Sequence, residues 1–138
     1  MRIKHEGHKI YLDQTVYLTK VIEHFGMSNA RVATTPLQAG YNPMESKSTC
    51  SNKFPTKYQS IIGSLLYIML GTCPDICYAI TKLVQFSVNP SKEYMDKAKY
   101  IICYLLSTSD YSLLFYDTSG KGLIAYTDSN WAADMIKH

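Results

Sequence analysis

A chain of 138 residues holds one compact domain or two incomplete ones, and with 46% hydrophobic and 18% charged residues it falls in the globular range rather than the disordered one. Fourteen basic against eleven acidic residues give a net charge of +3, well short of the dense basic footprint of a dedicated nucleic-acid binder. The opening MRIKHEGHKI lacks the apolar centre of a secretory leader, and the longest apolar run, Leu65 to Leu70, is far shorter than the ~20 residues that span a bilayer, so nothing marks a membrane segment. Four cysteines, Cys50, Cys73, Cys77 and Cys103, show no C-x-x-C spacing, and the Cys73/Cys77 pair has no neighbouring ligands for zinc. Reduced, mostly buried thiols are expected, which places the chain inside the cell without choosing between cytoplasm and nucleus.

In chain order, residues 2 to 5 and 9 to 12 flank Glu6-Gly7-His8, a polar break that predicts a β-hairpin. Two short strands need a further sheet partner, and none is obvious. His5 and His8 lie across this turn without a third ligand, so solvated side chains are expected rather than a metal site. Asp13 offers an N-cap for an amphipathic helix with Leu18, Val21, Ile22 and Phe25 on one face, closed by Gly26 in the left-handed conformation. From Met27 to Pro55 the pattern dissolves into Ser, Thr, Asn, Pro and Gly, a connection long enough to separate subdomains or wrap a surface.

Tyr58, Ile61, Ile62, Leu65, Leu66 and Met69 then keep helical spacing, with Tyr67, Ile68 and Leu70 adding apolar surface on the other faces, so this helix is expected at the centre of a bundle. Gly71 ends it; Thr72 and Pro74 supply a cap and a first-turn proline for a second helix carrying Ile76, Ala79, Ile80, Leu83 and Val84. Asn89-Pro90-Ser91 opens a third, with Tyr94, Ala98, Ile101, Ile102 and Leu105 inward and Glu93 placed to pair with Lys97. Most of the 12 tyrosines fall at core spacing, which favours packing over stacking on bases. After Asp110 the period shifts, and Ser112 to Tyr116 and Leu123 to Thr127 around a Gly-rich turn predict a C-terminal hairpin. The fold class is therefore α+β: hairpin and helix, long loop, three-helix bundle, hairpin. No nucleophile motif such as G-x-S-x-G is present, and no small-molecule substrate is indicated.

The stretches YQSIIGSLLY, TCPDICYA, Asn89-Pro90 and Tyr104-Leu105-Leu106-Ser107-Thr108 match, in order and spacing and with few gaps, the patterns Y-x-x-x-(I/V)-G-S-L-x-Y, T-x-P-D-I-x-Y-A, N-P and R-Y-L-x-G-T. With IYLDQTVYLTKVIEHFGM and the later Thr35-Pro36-Leu37, they resemble the part of copia-type retrotransposon Pol polyproteins where reverse transcriptase joins RNase H. The resemblance covers nearly the whole chain. Asp13 stands where the family usually has Ser, and Ser107 where it has Gly.

The resemblance implies a division into residues 1–26 (last hairpin and thumb-like helix of reverse transcriptase), 27–55 (connecting loop), 56–109 (helical connection) and 110–138 (start of an RNase H-like domain). It implies that the polymerase carboxylates lie upstream, and that Asp128, in Tyr126-Thr127-Asp128-Ser129-Asn130-Trp131-Ala132, descends from the first metal-binding carboxylate of RNase H. That site would be incomplete: the parent family uses Mg²⁺ held by several acidic residues, no cofactor is expected for this fragment, and the chain reads as a remnant cut at both ends without catalysis of its own. For the helical part the resemblance implies contact with RNA/DNA hybrid, with Lys92, Lys97 and Lys99, and beside them Lys53 and Lys57, as candidate phosphate contacts. Against this stands a solvated helix face, since Lys92, Asp96 and Lys99 share one side with mixed sign. A third reading is docking onto full-length Pol through apolar surfaces whose partners lie outside the chain.

Overall fold

In the computed structural model the described residues are 1–41, 54–117, 120, 122 and 125–126. They comprise strands β1 (Arg2–Glu6) and β2 (Lys9–Asp13), helices α1 (Thr15–His24) and α2 (Phe54–Gly71), a 3₁₀ turn (Pro74–Ile76) running into α3 (Cys77–Val84), helix α4 (Lys92–Ser107) and strand β3 (Leu113–Tyr116). The class is α+β, as the periodicities predict.

The hairpin turns at Gly7, whose φ of 58° is accessible to glycine at no steric cost. The partner it needs is β3: the sheet order is β1-β2-β3, all antiparallel, with Leu12 opposite Leu113 and Ile10 opposite Phe115. The expected C-terminal hairpin is corrected in part. Its second strand falls mostly outside the described residues, and the two members that are described, Ala125 and Tyr126, take no strand conformation. Tyr126 is 91% exposed.

Helix α1 starts one residue later than the Asp13 cap implies. Asp13 closes β2, and its Oδ1 accepts from the Thr15 backbone N–H at 3.1 Å and the Thr15 hydroxyl at 2.8 Å, while Oδ2 accepts from Arg2 at 2.8 Å. Burial alone would raise its pKa; the bonds from Arg2 and Thr15 outweigh that and hold it below the usual value. The helix ends in a Schellman motif: Met27 N–H donates to the Ile22 carbonyl at 2.9 Å and Gly26 N–H to Glu23 at 3.0 Å, with Gly26 at φ 67°.

The predicted three-helix bundle is a four-helix one. Leu18, Val21 and Ile22 of α1 share one cluster with Tyr58, Ile61, Ile62, Leu65 and Ile68 of α2, Ala79, Ile80 and Leu83 of α3, and Tyr94, Ala98, Ile101, Ile102 and Leu105 of α4. An amphipathic helix cannot leave its apolar stripe in water, and only this bundle is within reach of the first one. Helix α2 is central as expected through Ile68, but its last turn leaves the core, with Leu70 79% exposed. Within the core the Tyr58 hydroxyl donates to the Leu83 carbonyl at 2.7 Å, and the Phe86 and Tyr94 rings stack with centroids 4.2 Å apart.

Two further expectations shift. Thr72 does not cap the next helix: Cys73 takes that position, and the Thr72 hydroxyl donates instead to Gln14 Oε1 at 3.0 Å. Tyrosines are less internal than their spacing suggests: Tyr58 and Tyr94 are fully buried, whereas Tyr67, Tyr78, Tyr111, Tyr116 and Tyr126 are more than half exposed. A phenol satisfies its hydroxyl most cheaply at the rim of a core.

Gln14, 5% exposed, donates in turn to the Tyr67 carbonyl at 3.4 Å, so its amide ties the start of α1 to the end of α2. A Cβ at Gly71 would run into that amide. Gln14→Ala is expected to cost about 1–2 kcal/mol by stranding the Thr72 hydroxyl, and Gly71→Ala about as much by displacing the amide. Denaturant unfolding of the singles and the double variant checks this: the two costs should fall short of adding by on the order of 1 kcal/mol, and full additivity would mean that Gln14 and Gly71 act separately.

Candidate functional site

The three lysines of α4 separate. Lys92 and Lys99 are exposed, seven residues and thus about two turns apart on one face. Lys97 points elsewhere: its Nζ donates to Gln38 Oε1 at 2.5 Å and lies 4.5 Å from the Tyr41 ring centroid. It therefore fastens the segment after α1 and does not form the expected pair with Glu93. The same segment is pinned by Ala33, whose N–H donates to the Cys103 carbonyl at 3.1 Å and whose carbonyl accepts from the Ser107 hydroxyl at 2.8 Å. Residues 27–41 thus wrap the surface of α4, one of the two roles their composition allows.

Lys99 has a neighbour that spacing along one helix could not reveal. It lines a cleft of about 470 Å³ with Lys57 and Ser60 of α2, Met95 of α4, and His24 and Phe25 from the end of α1. His24 and Phe25 also line an adjoining depression with Tyr17, Lys20, Val21 and Ser64. The two recesses form a groove to which three helices contribute Lys20, His24, Lys57 and Lys99, and among the described residues no carboxylate lines either part. Lys53 and Asp128 lie outside the described residues, so the geometry of the proposed carboxylate is not part of the structure. His5 is on β1 opposite Ile10 and His8 is in the turn, both exposed. Among the described residues no group of three or more His, Cys, Asp or Glu converges for a metal ion. They offer no fit for a two-metal Mg²⁺ centre, which needs several carboxylates aimed at one point.

The thiols are more exposed than expected. Cys77 faces solvent, Cys73 and Cys103 are half-buried, all three are free, and Cys50 lies outside the described residues. Burial pushes the Cys73 and Cys103 thiols up, which suppresses the thiolate that reactive cysteines need. Among the described residues, no helix is long and apolar enough to cross a membrane.

On the far side of the bundle, the Tyr104 hydroxyl donates to Asp75 Oδ2 at 2.5 Å, joining α4 to the 3₁₀ turn. That bond, then burial, then the carboxylate charge push the phenol up to about 12. The same distribution of burial and pairing runs through the sequence motifs. Gln14, Tyr58, Ile62, Leu65, Thr72, Ile76, Ala79 and Leu105 are all buried, and two less buried pairs meet each other, Tyr17 with Tyr67 edge-to-face at 4.7 Å and Asp75 with Tyr104, whereas Tyr78 is 65% exposed and lies against Lys82.

A core of this order, with several of its motif residues paired across elements, defines a folded α+β region. Comparison with known proteins gives its family. The chain is 37% identical over 134 residues to the retrovirus-related Pol polyprotein from transposon TNT 1-94 of Nicotiana tabacum, covering 92% of this chain and 10% of that protein. It is 33% identical over 125 residues to the Pol polyprotein from transposon RE1 of Arabidopsis thaliana, covering 91% of this chain and 8% of that one. A third relative is an uncharacterized mitochondrial protein of Arabidopsis thaliana, 31% identical over 132 residues, of which this chain covers 54%. No family model and no solved structure matches. The chain is homologous over about nine-tenths of its length to retrovirus-related Pol polyproteins of plant transposons, and it spans about a tenth of the length of the two plant polyproteins and about half that of the mitochondrial relative.

The Tyr104–Asp75 bond gives a pH test. A phenol whose folded pKa exceeds the ordinary 10 stabilises the fold below pH 10 and loses that contribution as pH rises toward 12. In a spectrophotometric tyrosinate titration, the component removed by Tyr104→Phe should have its midpoint near 12. Asp75→Asn should bring that midpoint down, and an unmoved midpoint would mean the carboxylate is not its partner.

Proposed function

We propose that this region is the joint between reverse transcriptase and RNase H in a copia-type Pol polyprotein, with segments 1–26, 27–55, 56–109 and 110–138 as the resemblance implies. In this reading it is a packing element, intracellular, without independent catalysis. One observation carries it: the described motif residues are largely buried or paired with one another. Gln14 pairs with Thr72, Tyr17 with Tyr67 and Asp75 with Tyr104, and Tyr58, Ile76 and Leu105 fill the core. Such a motif set preserves a fold and, among the described residues, brings no group of metal-ligating side chains to a common point.

Asp128 enters this reading as the descendant of one RNase H carboxylate. A single carboxylate holds Mg²⁺ with most of its water shell retained and does not assemble the in-line geometry of phosphodiester hydrolysis. The purified chain, assayed for primer extension and for RNase H cleavage with Mg²⁺ or Mn²⁺, is expected to give no turnover above a protein-free blank. Cleavage that disappears in Asp128→Asn would show a completed site and overturn the proposal.

A second reading, docking onto other parts of a Pol polyprotein, is favoured by the sheet. Cross-strand neighbours share a face, so Ile3, Leu12 and Leu113 line up beside Ile10 and Phe115; Ile3 is 68% and Phe115 53% exposed. Co-purification with full-length Pol that is weakened by Phe115→Asp would support it; capture indifferent to that change would remove this face from consideration.

A further inference from the structure

We propose that two copies of the chain associate edge to edge through β1, antiparallel about a twofold axis, and so form a six-stranded sheet. The contact uses the edge of the sheet and is separate from the apolar face considered above. Among the described residues β1 pairs on one side only, with β2, and all five of its residues are exposed. Its backbone polarity follows from the hairpin. Glu6 and Lys9 flank a two-residue turn and form a hydrogen-bonded pair, and such pairs alternate along antiparallel strands. Glu6, Lys4 and Arg2 therefore turn their N–H and C=O groups toward β2, while His5 and Ile3 turn theirs outward. An edge of this kind is a template for a further strand.

The side chains select which strand. A lysine in the middle of an edge deters most partners, because a charge set against a like charge or an apolar residue disfavours the pair. Arg2-Ile3-Lys4-His5-Glu6 is nevertheless complementary to itself in one register. With His5 on the axis, the two copies of His5 exchange backbone bonds, and Lys4 of each copy stands opposite Glu6 of the other, in the positions without backbone bonds where side chains come closest. Lys4 and Glu6 already meet within one chain, Nζ to Oε1 at 2.6 Å, so the four side chains close into a cluster in which the nearest neighbours of each charge are opposite charges. An axis at Lys4 would set the two lysines against each other, and an axis at Ile3 would set Lys4 against Arg2. Two five-residue strands make a small contact, so the dimer is of the weak, transient kind.

Sedimentation velocity of the full chain over a concentration series at low ionic strength, where exposed charges are least screened, tests this. Wild type is expected to show a reversible monomer–dimer equilibrium. Lys4→Glu and Glu6→Lys should each weaken it on the order of tenfold, because symmetry turns two attractive cross-strand pairs into two repulsive ones. Mixing these two variants should restore the dimer, since each then meets the opposite charge in the other, and a repaired contact within one chain cannot produce that result. The double variant Lys4→Glu/Glu6→Lys should dimerise as wild type does, and Glu23→Lys, an exposed reversal on α1, should change nothing. Wild type that stays monomeric, dimers indifferent to the single reversals, as association through the apolar face would give, or a mixture that remains monomeric would each overturn the proposal.

Discussion

The buried amide of Gln14 is the constraint on which the arrangement of the chain depends. A primary amide taken out of water must find partners or cost roughly 1–3 kcal/mol for each group left unpaired. Gln14 meets this demand by accepting from Thr72 and donating to Tyr67, both some fifty residues away, and it fits only because Gly71 presents no side chain. This fixes the start of α1 against the end of α2. Since β2 runs directly into α1, the sheet is fixed with it, and Asp13, bonded to Arg2 on one side and Thr15 on the other, stiffens that junction.

What happens at the far end of α1 follows. With its first residue locked, Leu18, Val21 and Ile22 are set into the core, and the Schellman motif at Gly26 turns the chain so that His24 and Phe25 stand beside Lys57 and Lys99. A helix free to rotate by one residue would move every side chain by about 100° and take this wall apart. The groove is thus a consequence of packing at the opposite end of the helix, about ten residues away and therefore about 15 Å along the axis. Lys97 serves the same order from outside: by bonding Gln38 and covering Tyr41 it keeps the segment after α1 on α4, away from the face that Lys92 and Lys99 occupy.

Local signals were legible in the sequence and remote ones were not. The apolar repeats of the four helices, the glycine turn at residue 7, the left-handed Gly26 and the Ser91 cap, which accepts from the Tyr94 N–H at 3.4 Å, each depend on neighbours within a few positions. The pairing of β3 with β2 joins residues about a hundred positions apart, and no pattern inside either strand names its partner. Lys97 looked like its neighbours Lys92 and Lys99 because a charge on a helix face does not disclose what a distant loop will bring to it. The groove has no local sequence signal for the same reason: Lys20 and Lys57 stand on separate helices and meet Lys99 only after folding. Thr72 was read as a cap because its position suited one, whereas the competing acceptor, Gln14, lies 58 residues upstream.

Identity of 31–37% over more than nine-tenths of the chain can be carried by such constraints alone. A buried Tyr whose hydroxyl bonds a carbonyl, or a glycine under an amide, has few tolerated replacements, because cores accept volume-conserving exchanges and penalise others by about 1–3 kcal/mol. Exposed lysines face no such limit and need only remain positive. Similarity of this extent records descent and fold, while activity has to be established from a site. For this region the two questions separate: buried and paired motif residues such as Gln14, Tyr58 and Tyr104 belong to the fold, whereas the groove takes Lys57, Met95 and Lys99 from outside the motif stretches.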